Sequence, residues 1–361
     1  MALRAFRGVL ATLAAVSFAS GCAKAQSGPH KPALSGLVSV GSIKFHRRDG
    51  VAPDNSLGAI AAKPGAFGGV VMNIGWFQIE PSQGQFDTRA INEALAQIRD
   101  YNRSHPQSPL AADLRIWPGR QAPEWVKRLG GSAVTVHRTL PGQPGEDLTI
   151  GAFWTPAYRR AYAEMQHELA RRYDAEPLIA EVSNTACSTL SDEPFNLPHD
   201  ADSVASLHRS GFSDAAYRDC LETSPGDFSG WRATNIQFAF NPFHRTDGDQ
   251  SAPDYDFPSK LMGDFRRSLG ARAIISTHAL MNGRPFLAPL FNAIKSEGGP
   301  IELQTEVPRH QNFSWDQTIA YAVSLGASSV EVWPDPELNG YGNIPEATLQ
   351  QWAAELKGNR R

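Results

Sequence analysis

The chain has 361 residues, 41 % of them hydrophobic and 20 % charged, with a formal net charge of −3. This is ordinary globular composition, which excludes a largely disordered chain. The small net charge, without a long Lys/Arg stripe, excludes the electrostatic footprint of a nucleic-acid binder.

The first element is a leader. Arg4 and Arg7 precede an apolar run over 8–18, which is too short to span a bilayer and carries the charge placement of a secretory signal. Residues 1–25 are therefore read as a signal peptide and 26–36 as a linker. Two cleavage patterns compete. Ala19-Ser20-Gly21-Cys22 has the form of a bacterial lipobox with Cys22 as the lipidated residue, and Ala23-Lys24-Ala25 offers the small-x-small site of ordinary signal peptidase. The lipobox is favoured. The expectation is export, either as a membrane-anchored lipoprotein or into the periplasm or extracellular space, with membrane contact only through a lipid anchor.

Eight short Val/Ile/Leu-rich runs follow, at 37–45, 69–75, 113–117, 178–183, 235–240, 271–277, 301–305 and 328–333. Such runs suit strands buried on both faces in a parallel sheet. Amphipathic helical patterns at 88–102, 156–173, 285–296, 315–324 and 345–357 alternate with them. Alternating βα units predict an α/β fold, and eight of them close a (β/α)8 TIM barrel, here one domain over 37–357; roughly 250 residues is the usual size. Neither a GxGxxG nor a P-loop pattern supports an open nucleotide-binding sheet. Two connections, 130–153 and 186–234, are too long for simple turns. They follow strands 3 and 4 and are expected on the catalytic face, where loops after strands emerge.

The chemistry should lie at strand exits. Glu306 leaves the seventh strand, and period two puts Glu302 and Gln304 on the same side, pointing into the barrel. Trp333 leaves the eighth strand, and an indole offers a flat surface to the apolar face of a sugar ring. Trp76 and Trp117 extend that reading at strands two and three. Asn73, Arg115, Arg120, Asn184, Asn241, His244 and His278 would supply hydrogen bonds to hydroxyls. A carboxylate beside aromatic platforms is what glycoside cleavage requires.

The segment Gly69-Val-Val-Met-Asn-Ile-Gly-Trp76-Phe-Gln-Ile-Glu80-Pro81-Ser-Gln-Gly84-Gln-Phe86-Asp87 resembles the W-x-x-I/L-E-P-x-x-G-x-F/Y-D stretch after the second strand of clan A glycoside hydrolases. It is most similar to the β-galactosidase-like family 42 and to family 5 relatives. The resemblance extends loosely over 37–357. It implies an Asn-Glu pair at the end of strand four, the Glu being general acid/base, and a nucleophilic Glu at the end of strand seven, which Glu306 matches. Asn184 matches the Asn, but Thr185 stands where the acid belongs, and Thr cannot serve as a general acid near neutral pH. Glu181, deeper in the strand, and Asp192 and Glu193 in the next loop are the replacements. Glu193 is favoured. Trp333 matches the clan's aromatic residue at strand eight.

These residues point to an exported glycosidase (O-glycosyl hydrolase), retaining, acting on an oligo- or polysaccharide with Glu306 and Glu193 as the catalytic pair. The alternative, prompted by Thr185, is a non-catalytic carbohydrate-binding lipoprotein on a degenerate barrel. No cofactor is expected. No metal is expected either, because no HExxH, His-x-x-x-His or CxxC spacing occurs. Cys187 and Cys220 share the long loop after strand four, and with export they are expected to pair as a disulfide, two unrelated buried thiols being the alternative.

Overall fold

The structure is a computed structural model that describes residues 30–45, 57–139, 145–247, 252–306, 313–334 and 341–360, with backbone only for 41–45. The leader, Cys22 and residues 26–29 of the linker lie outside the described residues.

Eight strands form a closed barrel: β1 (Gly36–Phe45), β2 (Phe67–Gly75), β3 (Ala111–Trp117), β6 (Ile179–Asn184), β7 (Asn235–Ala239), β8 (Ala273–Leu280), β9 (Ile301–Thr305) and β10 (Ser329–Val332). Neighbouring strands around the ring are parallel, so the expected (β/α)8 barrel is what the chain forms. The helices that pack outside include α3 (Arg89–Ser104), α5 (Pro156–Tyr173), α8 (Asp256–Leu269), α9 (Ala288–Glu297), α10 (Trp315–Ser324) and α11 (Glu346–Gly358). Local chemistry sets their limits. Thr155 accepts a hydrogen bond from the Tyr158 amide and Pro156 follows it, which starts α5. Gly270, at φ 60, ends α8. The buried Tyr158, Tyr162, Met165, Leu169 and Tyr173 make one stripe of α5, laid on the barrel.

The two long connections are structured. Residues 130–153 contain an antiparallel hairpin, β4 (Val134–Arg138) with β5 (Glu146–Ile150). Residues 186–234 contain α6 (Ala201–Arg209) and α7 (Asp214–Thr223), capped by Asp200 and Ser213. These elements and α8 go beyond the sequence reading. The helices α6 and α7, of nine and ten residues, are under three turns long with polar punctuation, so their apolar period is too short to stand out. A cystine joins Cys187 to Cys220 and ties the start of this insertion to α7.

Apolar residues fill the space between strands and helices, whereas the barrel interior is mostly polar. Two features plug its lower, N-terminal end. Leu34 packs with Val38, Val40 and Val71, and its amide donates to Glu181 Oε1 at 2.6 Å. Ahead of it, the Lys31 ammonium donates to the carbonyls of Glu176 and Ile179 and to Thr234 Oγ1.

Candidate active site

The interior network is built in layers by the inward-facing residues of alternating positions. They are Asp113 and Arg115 on β3, Glu181 on β6, Gln237 on β7, Glu302 and Gln304 on β9 and Glu331 on β10. Arg115 is 1 % exposed and is the hub. Its guanidinium donates to Asp113, Glu331, Asp192, Ser183, Gln237 and Gln304 at 2.5–3.2 Å. Burial alone would lower its pKa, but the surrounding Glu331, Asp113 and Asp192 charges outweigh it and the pKa is raised. Burial raises Asp113 to about 6 and Glu181 to about 8, and lifts Glu302 well above the carboxylate range. Glu331 is the exception: against burial, Arg115 holds it below its usual value. One guanidinium cannot neutralise all these carboxylates, so some are held as neutral acids instead. Among the described residues no three His, Cys, Asp or Glu side chains converge as metal ligands.

Arg115 is thus a structural cation inside the barrel and not the hydroxyl-binding residue expected from sequence. Glu181 is likewise buried at the floor, bonded to Leu34, which removes it as a stand-in acid at the mouth. Asn184 is corrected too. Its side chain donates to Ser224 Oγ and accepts from the Ala186 amide, on the helix side of the sheet. Thr185 donates to the Ile116 carbonyl and meets the Tyr162 hydroxyl, so it is buried packing.

Above this layer the loop after β6 folds back over the barrel, bringing Asp192 onto Arg115 and Glu193 to the mouth. Asn241, just past β7, donates to Glu193 Oε2 at 2.7 Å and accepts from Thr277 Oγ1 at 3.1 Å. His278, on β8, places Nδ1 3.8 Å from Asp192 and 4.0 Å from Glu193. Its side chain is 3 % exposed, and neither ring nitrogen has a hydrogen-bond partner among the described residues. Burial pushes the Glu193 carboxyl up. The charges of Asp192 and Glu306 push the same way, against His278 and the Asn241 bond. Glu306 follows β9, its amide bonded to the Leu280 carbonyl. Its carboxylate takes a hydrogen bond from Arg284 Nη1 at 2.5 Å. Arg284 is a residue that sequence reasoning missed, and a lone Arg in an Asn-Gly-Arg turn gives no signal for it.

The aromatic expectations divide. Trp117 stays at the mouth, partly exposed. Its indole donates to Asn73 Oδ1 at 2.9 Å, Asn73 donates to the Val40 carbonyl, and Arg120 lies over the ring at 5.8 Å. Arg120 also donates to the Leu190 carbonyl. Trp333, at the exit of β10, is partly buried against the cluster that contains Val40 and Val71. Trp76 is a correction. It starts α2 (Trp76–Ile79), is fully buried, donates to Glu80 Oε2 and packs edge-on against Trp125, Tyr158 and Tyr162, so it cannot face a ligand. The resemblance segment is therefore a clamp between β2 and the helix layer. Glu80 ties Trp76 to the Gly84 amide, and burial raises its pKa. His244 is exposed and pairs with His199, ring centroids 5.1 Å apart; among the described residues no contact joins it to Glu193 or Glu306.

No family model matches the chain, and no curated protein matches it. Solved structures do. Endo-glycoceramidase II from Rhodococcus sp., in a cellobiose-like imidazole complex, is 14 % identical with a TM-score of 0.52, over 89 % of this chain and 80 % of that one. Its lactosyl-enzyme intermediate is 16 % identical with a TM-score of 0.50, over 90 % and 80 %. The exo-beta-1,4-mannosidase Op5Man5 from Opitutaceae bacterium strain TAV5 is 12 % identical at a TM-score of 0.45, over 93 % of this chain and 62 % of that one. At these identities the likeness is one of fold.

Proposed function

We propose that the chain is an exported glycoside hydrolase that cleaves O-glycosidic bonds with retention, Glu306 being the nucleophile and Glu193 the general acid/base. The observation that carries this is the meeting of two carboxyl groups with different surroundings at the barrel mouth. Glu193 is mostly buried, has a raised pKa and feels the Glu306 charge, while Glu306 is held by a cation. A carboxyl whose burial favours its protonated form, beside a second carboxyl bonded to a guanidinium, offers an acid and a nucleophile. A structural neighbour, endo-glycoceramidase II from Rhodococcus sp., has been captured as a lactosyl-enzyme intermediate, which supports the retaining route.

In the first step Glu306 attacks the anomeric carbon while Glu193 gives its proton to the leaving oxygen. In the second, Glu193 takes a proton from water, which displaces Glu306. Trp117 and Trp333 flank the sugar, and Arg284 holds the nucleophile in position. His278, beside Glu193 and with no hydrogen-bond partner for either ring nitrogen among the described residues, is a ready contact for a hydroxyl. We place the site outside the cytoplasm, on a chain anchored through Cys22. The test is a panel of aryl glycosides and polysaccharides, with product stereochemistry followed by NMR. Turnover that is lost in Glu306→Gln supports the enzyme. Sugar binding without turnover favours the carbohydrate-binding alternative that the Thr185 departure suggests.

A further inference from the structure

Resting on the reading of Cys22 as a lipid anchor, we propose that the N-terminal face of the barrel docks on an anionic phospholipid surface through Lys295, Lys357 and Arg360, leaving the mouth with Glu193 and Glu306 facing away from the membrane.

The first observation is where the chain arrives. His30–Leu34 crosses the floor of the barrel and is fixed there. Lys31 donates from its amide to the Ala233 carbonyl and from its ammonium to three acceptors, and the Asn235 side chain donates to the Lys31 carbonyl. Only seven residues, 23–29, separate Cys22 from His30. Fully extended they span at most ~25 Å. An anchor at Cys22 therefore holds this face toward the bilayer, and the mouth lies at the other end of the strands.

The second observation is the charge of that face. Two grooves flank the segment, of about 820 Å³ and 560 Å³. Their lining includes Lys31, Lys295, Lys357 and Arg360 and contains no Asp or Glu. Basic residues in a last helical turn complement the helix dipole, and elsewhere on this face they are also neutralised: Arg103 pairs with Asp100, Arg171 with Glu168 and Arg267 with Asp264. Lys295, Lys357 and Arg360 differ. They are exposed and have no ion pair among the described residues, in a chain whose net charge is −3. A basic patch next to a lipid anchor supplies the second signal that a single acyl attachment needs for stable binding.

The experiment compares the full chain with its Lys295→Gln/Lys357→Gln/Arg360→Gln variant, so that any leader contribution is common to both. Binding to phosphatidylcholine vesicles with and without phosphatidylglycerol is measured by co-sedimentation at low and high salt. The parent is expected to prefer the anionic vesicles and to lose the preference in high salt; the variant should bind them on the order of 100-fold more weakly. A parent indifferent to phosphatidylglycerol, or a variant that keeps the preference, overturns the proposal. So does inorganic phosphate that raises the parent's melting temperature but not the variant's while vesicles do nothing, which would make the grooves a free-phosphate site. Glycoside turnover is assayed on the same two chains. Equal turnover with lost membrane preference supports the docking face, and absence of turnover in both bears only on the catalytic reading. The mass of the chain from the membrane fraction reports lipid on Cys22 separately, and an intact preference without that lipid keeps the docking face and removes the anchor.

Discussion

The Asn241 amide donates to Glu193 Oε2 at 2.7 Å while its carbonyl accepts from Thr277 at 3.1 Å. A residue at the exit of β7, locked by β8, thus orients a carboxyl that arrives on a loop from β6. Burial raises the Glu193 pKa and the Asn241 bond lowers it. Removing Asn241 should raise it further. In Asn241→Ala the alkaline limb of the pH–rate profile, set by loss of the acid's proton, is expected to move to higher pH, and kcat to fall roughly 10- to 100-fold from lost orientation. A limb that moves down would show that Glu193 is not the acid.

Glu306→Gln keeps size but removes the attacking charge, so the loss should fall on kcat, by at least ~1000-fold, with little change in melting temperature. Glu193→Gln should differ: substrates with poor leaving groups suffer most, and activated aryl glycosides keep much of their first-step rate. Equal sensitivity of both substrate types in the Glu193 variant would move the acid elsewhere. Arg284→Ala, which removes the guanidinium bonded to Glu306, should lower kcat/KM by roughly tenfold or more.

The barrel interior should make stability depend on pH. Glu181, at about 8, and Asp113, at about 6, are raised above their unfolded values. The stability they contribute is fully present below the unfolded carboxylate range and is lost as pH rises through the folded values. Glu331 has the opposite sign: its pKa is lowered, so its contribution is lost on acidification. Melting temperature should therefore fall between about pH 5 and 8, and Glu181→Gln should flatten the fall. Arg115→Met, which leaves buried charges unpaired, should cost about 3–5 kcal/mol in denaturant unfolding.

Truncating the three tryptophans one at a time should separate packing from binding. Trp76→Ala opens a hole in a fully buried aromatic cluster and should destabilise by about 3–5 kcal/mol. Trp117→Ala, like Trp333→Ala, should leave the melting temperature within a few degrees and weaken sugar binding by about 1–3 kcal/mol, read by calorimetry.

Reducing the Cys187–Cys220 cystine, or replacing both residues by Ser, opens a loop with a sequence separation of 33. In the chain-entropy picture the cost is ~3–4 kcal/mol. Thiol titration of the unfolded, unreduced protein should find neither cysteine reactive.

The barrel was legible because its cause is local. Eight apolar runs alternating with amphipathic helices leave one economical closure, and the strands fall within a few residues of their expected limits. Glu306 was legible for the same reason, since it ends a strand. What period two could not reveal is which side of the wall a strand-end residue serves. Asn184, Arg115 and Trp76 all sit near strand ends, yet they bond respectively to the helix layer, the interior carboxylates and an aromatic cluster.

The sequence by itself determined the fold class and the strand-borne carboxylate, because hydrophobic period and chain length act over a few residues. Only the tertiary structure decided the rest. The Glu193 loop folds back because Asp192 finds Arg115 and Glu193 finds Asn241, 77 and 48 residues away along the chain. Arg284 reaches Glu306 across adjacent strands, and Lys31 pins the floor through acceptors more than 140 residues distant. Such pairings are set by desolvation and charge in a closed barrel, and those forces exist only once the strands have met.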